Sequence, residues 1–340
     1  MLRKIGGVAA QIAPWAILGG LAYAAAFISP QIEPLELPQP LVESRDMFFD
    51  VAVTEDGQAW FVGGGGTVLR GDIDAASWQR MNVDDNNLQA IAVDDRGRMV
   101  IAGNGGWLYT STNRGESWEQ TQLPLSDFAN KLTDVATDGQ RFYVIGEMGA
   151  VYTSSNLVTW NSLSVDEDIN LNSIFVDGEQ IWIAAEFGTL LHSNDGGDSW
   201  RRHELGEESI RAISFNGSTG IAVGNQGFIA ITRDQGDSWT ALPTPGNEHL
   251  YDVIWQQQSE QARWVIVGDA GTLLTSTDGM NGWQSLRSAE SGNQYFARAI
   301  AFGDYTLVAG RQLGKLSHDH HSDHASQWFS LPNTTQEMTP

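Results

Sequence analysis

The feature that most constrains this chain is a string that keeps coming back. Ser193-Asn194-Asp195-Gly196-Gly197-Asp198-Ser199-Trp200 recurs as Ser111 to Trp118 and as Thr232 to Trp239. A looser copy runs from Ser276-Thr277-Asp278-Gly279 to Gly282-Trp283. Trp78 and Trp160 close segments of the same length with the box eroded, and Trp328 closes a last one. From Trp78 to Trp328 the successive spacings are 40, 42, 40, 39, 44 and 45 residues. A unit of that size cannot bury both faces of its own sheet, so it needs like neighbours on either side.

Each unit has the same grammar. An apolar strand such as Phe49 to Val53 or Ile210 to Phe215 is followed by a polar turn, for example Glu55-Asp56-Gly57. A second strand ends in small residues and leads into Gly-x-x-Gly, as in Gly63 to Gly66, Gly103 to Gly106 and Gly224 to Gly227. In the fourth unit Ala185 replaces the first glycine, and in the seventh the spacing grows to Gly310–Gly314. Glycine supplies positive φ at such turns, which makes them hairpins between the second and third strands. The third strand runs into the box, and a short fourth leaves from the tryptophan. Four antiparallel strands, seven times over, predict an all-β fold, a single seven-bladed β-propeller across residues 47–331 with a tail at 332–340. The fourth strand of the last blade is expected from Trp328 to Leu331, closing the ring without a borrowed strand; residues 41–46 beside that blade are the alternative.

The N-terminus speaks to compartment. Arg3 and Lys4 precede an apolar run from Ile5 to Ile28, long enough to span a bilayer, and a linker with four prolines follows at 29–46. Residues 1–28 are therefore expected to be a membrane anchor or a cleaved signal, with the propeller on the periplasmic side of an inner membrane. The chain carries 19 basic and 42 acidic residues, a net charge of −23, which disfavours nucleic acid and anionic lipid as partners. It has no cysteine, which excludes thiolate chemistry.

The recurring string resembles the Asp-box of bacterial-neuraminidase-type repeats. Its chemistry is that of a folded turn: a carboxylate or amide caps backbone N–H groups, and the tryptophan packs between blades. Asn113, Asp195, Asp234 and Asp278, with Trp118, Trp200, Trp239 and Trp283, are thus read as structural. Strand direction puts the Gly-x-x-Gly turns and the starts of the first strands on the opposite face, around the channel mouth. Candidate binding residues there are Arg211, Arg298, Arg311, Tyr251, Glu147, Glu186 and Asp269. Arg211-Ala212-Ile213 and Arg298-Ala299-Ile300 read as one register. With Arg311 these arginines either grip a carboxylate of a partner or pair with Glu147, Glu186, Asp252 or Asp269 to balance the rim.

Sialidases share the box, but their arginine motif near the first strand is missing here. Glu147 and Glu186 in adjacent blades mimic a glycosidase dyad, yet xyloglucanase-type enzymes work across two propellers and only one fits this chain. The expectation is a protein without catalytic residues or cofactor. A separate possibility is His318-Asp319-His320-His321-Ser322-Asp323-His324, where His318, His320, His321 and His324 are dense enough to bind a transition metal.

The combined grammar from Gly103 to Trp118 and from Gly224 to Trp239 looks like the photosystem II stability/assembly factor-like family, over roughly residues 47–331. That resemblance implies a propeller that works as an assembly chaperone. In phototrophs such members contact a reaction-centre subunit through a basic patch; in other bacteria they accompany exporters of the RND/MMPL type. The acidity here points to the exporter-associated branch, a scaffold on a membrane protein complex. A photosystem II assembly role and a carbohydrate-binding or glycosidase role are the alternatives.

Overall fold

The computed structural model describes residues 14–23, 40–73, 77–163, 165, 168–244, 246–257, 262–286, 292–317 and 327–331. The chain divides into two compact units, Met1–Pro40 and Leu41–Pro340. In the first, residues 14–23 are helical with exposed side chains. Among the described residues no helix is long and apolar enough to cross a membrane. The rest of the apolar run 5–28 lies outside the described residues.

The second unit consists of seven four-stranded antiparallel sheets, each with its strands in chain order. Blade 1 is Phe48–Val53, Gln58–Gly63, Thr67–Asp72 and Trp78–Asn82. Blade 7 is Phe296–Phe302, Tyr305–Gly310, Leu313–Ser317 and Gln327–Leu331. The first strands pack against one another in sequence, and that of blade 7 returns to Phe48–Val53. They therefore ring the axis, and the predicted seven-bladed propeller is present.

Burial follows distance from that axis. Second strands such as Ala59 to Val62, Phe142 to Ile145 and Ile181 to Ala185 are unbroken apolar runs buried on both faces, as a sheet stacked on two sides requires. Outer strands such as Glu119–Gln122 are polar and largely exposed. The apolar residues form seven separate clusters, one in each interface between neighbouring blades.

The two glycines of each Gly-x-x-Gly turn do different jobs. Only the second has the expected positive φ: Gly66 is at φ 71. The first is extended, Gly63 at φ −165. It is glycine because a Cβ there would stand 2.1 Å from the carbonyl oxygen of Met47. Blade 7 departs from the reading. Gly314 lies inside the third strand, paired with Val308, and leaves room for the Trp328 ring; the turn itself is Arg311-Gln312.

Gln327–Leu331 is the outer strand of blade 7 and pairs only with Leu313–Ser317. Among the described residues no strand is exchanged across the seam between blades 7 and 1. Residues 41–46 are not a strand either. Leu41 and Val42 pack on the seam cluster, and Arg80 fixes the segment through the Leu41 carbonyl oxygen (3.1 Å) and Asp46 Oδ1 (3.0 Å).

Candidate functional site

The starts of the first strands and the Gly-x-x-Gly turns share one face, and the boxes share the other. On the first face the channel opens as a cavity of about 320 Å³. Its walls include Phe49, Gln89, Glu147, Glu186, Arg211, Tyr251 and Tyr295, and Arg298 stands at its floor. Arg298 also lines a cavity of about 200 Å³ on the far side, beside Asp50, Asp134 and Asp252. The channel is divided there.

The floor is an ion cluster that the sequence reading missed. Arg298 Nε lies 3.1 Å from Asp50, Nη2 lies 2.5 Å from Asp134, and Nη1 lies 3.7 Å from Asp252. Each carboxylate also staples two blades. Asp50 accepts the N–H of Val51 and of Ile91, Asp134 those of Val135 and Ile174, and Asp252 those of Val253 and Ala299. One side-chain constellation thus ties every blade except the fifth. Burial pushes the Asp50 carboxyl up to about 7 and Asp252 to about 6, with Arg298 pulling both back down. Burial also works against the charge of Arg298, but Asp134, Asp50 and Asp252 outweigh it and hold the guanidinium above its ordinary value. Three carboxylates facing one cation leave an excess of negative charge, and proton uptake by the raised pair relieves it.

This corrects the reading of the arginines. Ile210 pairs with Gly224 and Ala212 with Val223, so Arg211 occupies the bulge. Phe296 pairs with Gly310 and Arg298 with Ala309, so the bulge position in blade 7 is Ala297. Arg298 sits one residue further on, in the register of Asp50, Asp134 and Asp252. It is committed to the cluster, the pairing alternative, with Asp252 among its partners. The signal was available: Phe49-Asp50-Val51, Thr133-Asp134-Val135 and Tyr251-Asp252-Val253 open three first strands with Asp-Val at one register.

The wall residues are held by backbone, amide and carboxylate partners. Glu147 Oε2 accepts from the N–H groups of Asn130 (2.7 Å) and Lys131 (3.1 Å). Glu186 Oε2 accepts from the N–H of Asn170 at 3.4 Å. Arg211 Nε donates to Asn225 Oδ1 at 2.9 Å. The Tyr251 hydroxyl donates to Asp269 Oδ2 at 3.0 Å. Burial, reinforced by that bond, pushes the Tyr251 phenol up to about 12, far from the pKa of an activated nucleophile. Arg311 is exposed on the blade 7 turn, outside the cavity wall. The chemistry on offer is hydrogen bonding and charge around an open seat.

The box residues lie on the other face and cap their turns. Asp195 Oδ1 accepts from Ser193 Oγ and from the N–H of Ser199, and Asp234 repeats this with Thr232 and Ser238. The serine hydroxyls hold Asp195 and Asp234 down at about 2. Asn113 Oδ1 accepts from the N–H of Ser117, and Asp278 Oδ1 from those of Met280 and Asn281. Trp118 and Trp239 meet Trp60 and Trp182 edge-on at 6.1 and 5.9 Å, each pair spanning two blades. Trp200 and Trp283 pack against inter-blade clusters. Blade 3 keeps the turn without the box, since Asn156 Oδ1 accepts from the N–H groups of Val158 and Thr159. His318, His320, His321 and His324 lie outside the described residues. Among the described residues no group of three or more His, Cys, Asp or Glu is placed to hold a metal.

Residues 81–207 match the DUF6242 beta propeller domain family. A relative named photosystem II assembly lipoprotein Ycf48, from Synechococcus sp. (strain CC9605), is 30% identical over 289 residues, covering 77% of this chain and 82% of the relative. Against another relative of that name the chain spans about half the length, 54%. A solved structure titled "YCF48 bound to D1 peptide" superposes with a TM-score of 0.66 at 18% identity, over 81% of this chain and 92% of that one. The GH74 xyloglucanase from Xanthomonas campestris superposes with a TM-score of 0.67 at 15% identity, over 84% of this chain and 54% of that one. At these identities the structural likenesses speak for the fold.

Proposed function

The chain belongs to the photosystem II stability/assembly factor-like family of propellers, and on that premise we propose that it works without catalysis, holding a segment of a membrane protein at its channel mouth during assembly. The observation that carries this reading is the open, polar mouth above a sealed floor. A seat of about 320 Å³ closed beneath by Arg298 suits insertion of a few side chains from a partner, and it does not suit passage through the ring. Glu147 and Glu186 are engaged by backbone amides and Tyr251 by Asp269, partners that orient the wall side chains without singling out an acid and a nucleophile among them.

The partner we favour is an exporter of the RND/MMPL type, on the periplasmic side of an inner membrane. The net charge of −23 and the commitment of Arg298 leave little free basic surface for the contact expected in phototrophs. Residues 5–28 are the tether in this proposal. The relative is named a lipoprotein, whereas these 340 residues contain no cysteine to carry a thiol-linked lipid. A second reading, a reaction-centre subunit as partner, is favoured by the names of the relatives and by the peptide in the solved structure's title.

Affinity capture from native membranes in mild detergent tests both. The wild-type chain is compared with Arg211→Ala and Tyr251→Phe, which alter the wall and leave the Arg298 cluster intact. Recovery of an exporter subunit that the variants lose supports the favoured reading, and recovery of a reaction-centre subunit supports the second. Equal recovery by wild type and variants removes the mouth from the account.

A further inference from the structure

Phe187 is a large apolar side chain carried on an exposed turn. It is 63% exposed, and its φ is +56. The turn imposes that φ, since Met148, Gln226 and Ala270 hold the same position at φ 55, 54 and 54, yet a bulky residue is rare in this left-handed region. Blades 1 and 2 fill the same turn position with Gly65 and Gly105, also at positive φ. The phenyl ring is not repaid by burial.

Two neighbouring loops carry further large apolar residues. Phe128, in the connection between blades 2 and 3, is 86% exposed. Met148, at the blade 3 turn, is half-buried at φ +55. In all three places a carboxylate comes directly before the apolar residue: Asp127-Phe128, Glu147-Met148 and Glu186-Phe187. Hydrogen bonds join the loops into one arc. The N–H groups of Asn130 and Lys131 donate to Glu147; the N–H of Met148 donates to Asn170 Oδ1 (3.3 Å); the N–H of Asn170 donates to Glu186. The arc borders the cavity, whose wall includes Lys131, Glu147, Asn170 and Glu186.

We infer that this arc is a docking strip for an extended protein segment that alternates basic with large apolar side chains. The inference rests on the reading of the channel mouth as the partner site and names the chemistry of that partner. Exposed aromatics supply the anchors that dominate interface energies. The carboxylate beside each anchor pairs with a Lys or Arg of the segment and sets its register. The net charge of −23 draws such a segment in. Lys131 on the strip and Arg211 across the cavity favour the opposite sign of charge, which makes an acidic segment the proper competitor.

The test uses the full chain in detergent and two labelled peptides of equal length, one alternating Lys with Leu and the other Glu with Leu, read by fluorescence anisotropy at low and high salt. The Lys–Leu peptide is expected to bind at least about tenfold more tightly than its acidic counterpart, more weakly at high salt. Phe187→Gly combined with Phe128→Ser is expected to weaken it about tenfold, and Glu147→Gln with Glu186→Gln to reduce the salt dependence. Phe187→Gly relieves the strained φ, so its melting midpoint is expected to hold or rise; loss of binding by a chain that stable cannot be misfolding. Acidic-peptide binding that Arg211→Ala abolishes would overturn the strip and leave the mouth reading standing. Binding of neither peptide, or unchanged binding by the Phe variants, overturns the strip outright, and the membrane capture then judges the mouth reading separately.

Discussion

Arg298→Met is the most informative single change to the ring. Methionine keeps the apolar stem of the side chain but leaves Asp50, Asp134 and Asp252 without their cation. Removing one partner of a buried ion pair costs about 3–5 kcal/mol; three acids share one guanidinium, so we apply the figure once. With about 2.1 cal/mol/K of unfolding entropy per residue over the roughly 290 residues of the ring, this is a fall of about 5–8 °C in melting midpoint. The deficit must depend on pH with a definite sign. The folded pKa values of Asp50 and Asp252 lie above the unfolded value of 3.8. Their contribution is therefore complete below about 4 and is lost as pH rises through about 6–7. Without Arg298 to pull them down that window moves further up, so the variant should be weakest at pH 8 and recover much of its loss at pH 5. Thermal melts followed by near-UV circular dichroism at both pH values read this, with Arg211→Met as a control costing about 1 kcal/mol or less. A loss below about 1 kcal/mol at pH 8, or one that does not narrow at pH 5, would refute the assignment of Arg298 as the hub.

Two smaller changes test other parts of the argument. Gly65→Ala meets no atom within 4 Å and should cost only the left-handed backbone, about 1 kcal/mol. Gly66→Ala puts a Cβ 1.3 Å from the Asp84 carbonyl oxygen and should cost about 3 kcal/mol or more, read by denaturant unfolding. His192 stacks on Trp182 at 3.9 Å, and burial lowers its pKa to about 4. Below about 6.5 the unfolded chain takes a proton that the folded chain refuses, so stability is lost as pH falls from about 6.5 to about 4. His192→Phe keeps the stack and should move the acid-unfolding midpoint to lower pH; no movement would exclude His192 as the source.

The repeat was legible because it is a packing requirement. A tryptophan about every 40 residues marks every blade and small residues flank the turn in the first six, so blade number and face assignment follow from the string alone. The register inside a strand was less so. Arg211-Ala212-Ile213 and Arg298-Ala299-Ile300 are identical strings, but the bulge that opens each first strand falls on Arg211 in one and on Ala297 in the other. A one-residue offset at a bulge moves a side chain from the wall of the mouth to the buried axis. The ion cluster was hidden for a related reason: its members come from blades 1, 3, 6 and 7, and only the closed ring brings them together. Gly314 misled in the same way, since its small size serves the Trp328 ring and not the turn.

The seam between blades 7 and 1 also decides how the ring bears mechanical load. A propeller closed by an exchanged strand would pass any tug from upstream straight into a sheet. Here the segment at 41–46 is clasped by Arg80, which sits on the outermost strand of blade 1. Tension arriving through residue 40 is carried to the circumference of the disc before it reaches Phe48–Val53, the strand that holds Asp50. The Arg80 clasp thus stands between the upstream chain and the strand that holds Asp50.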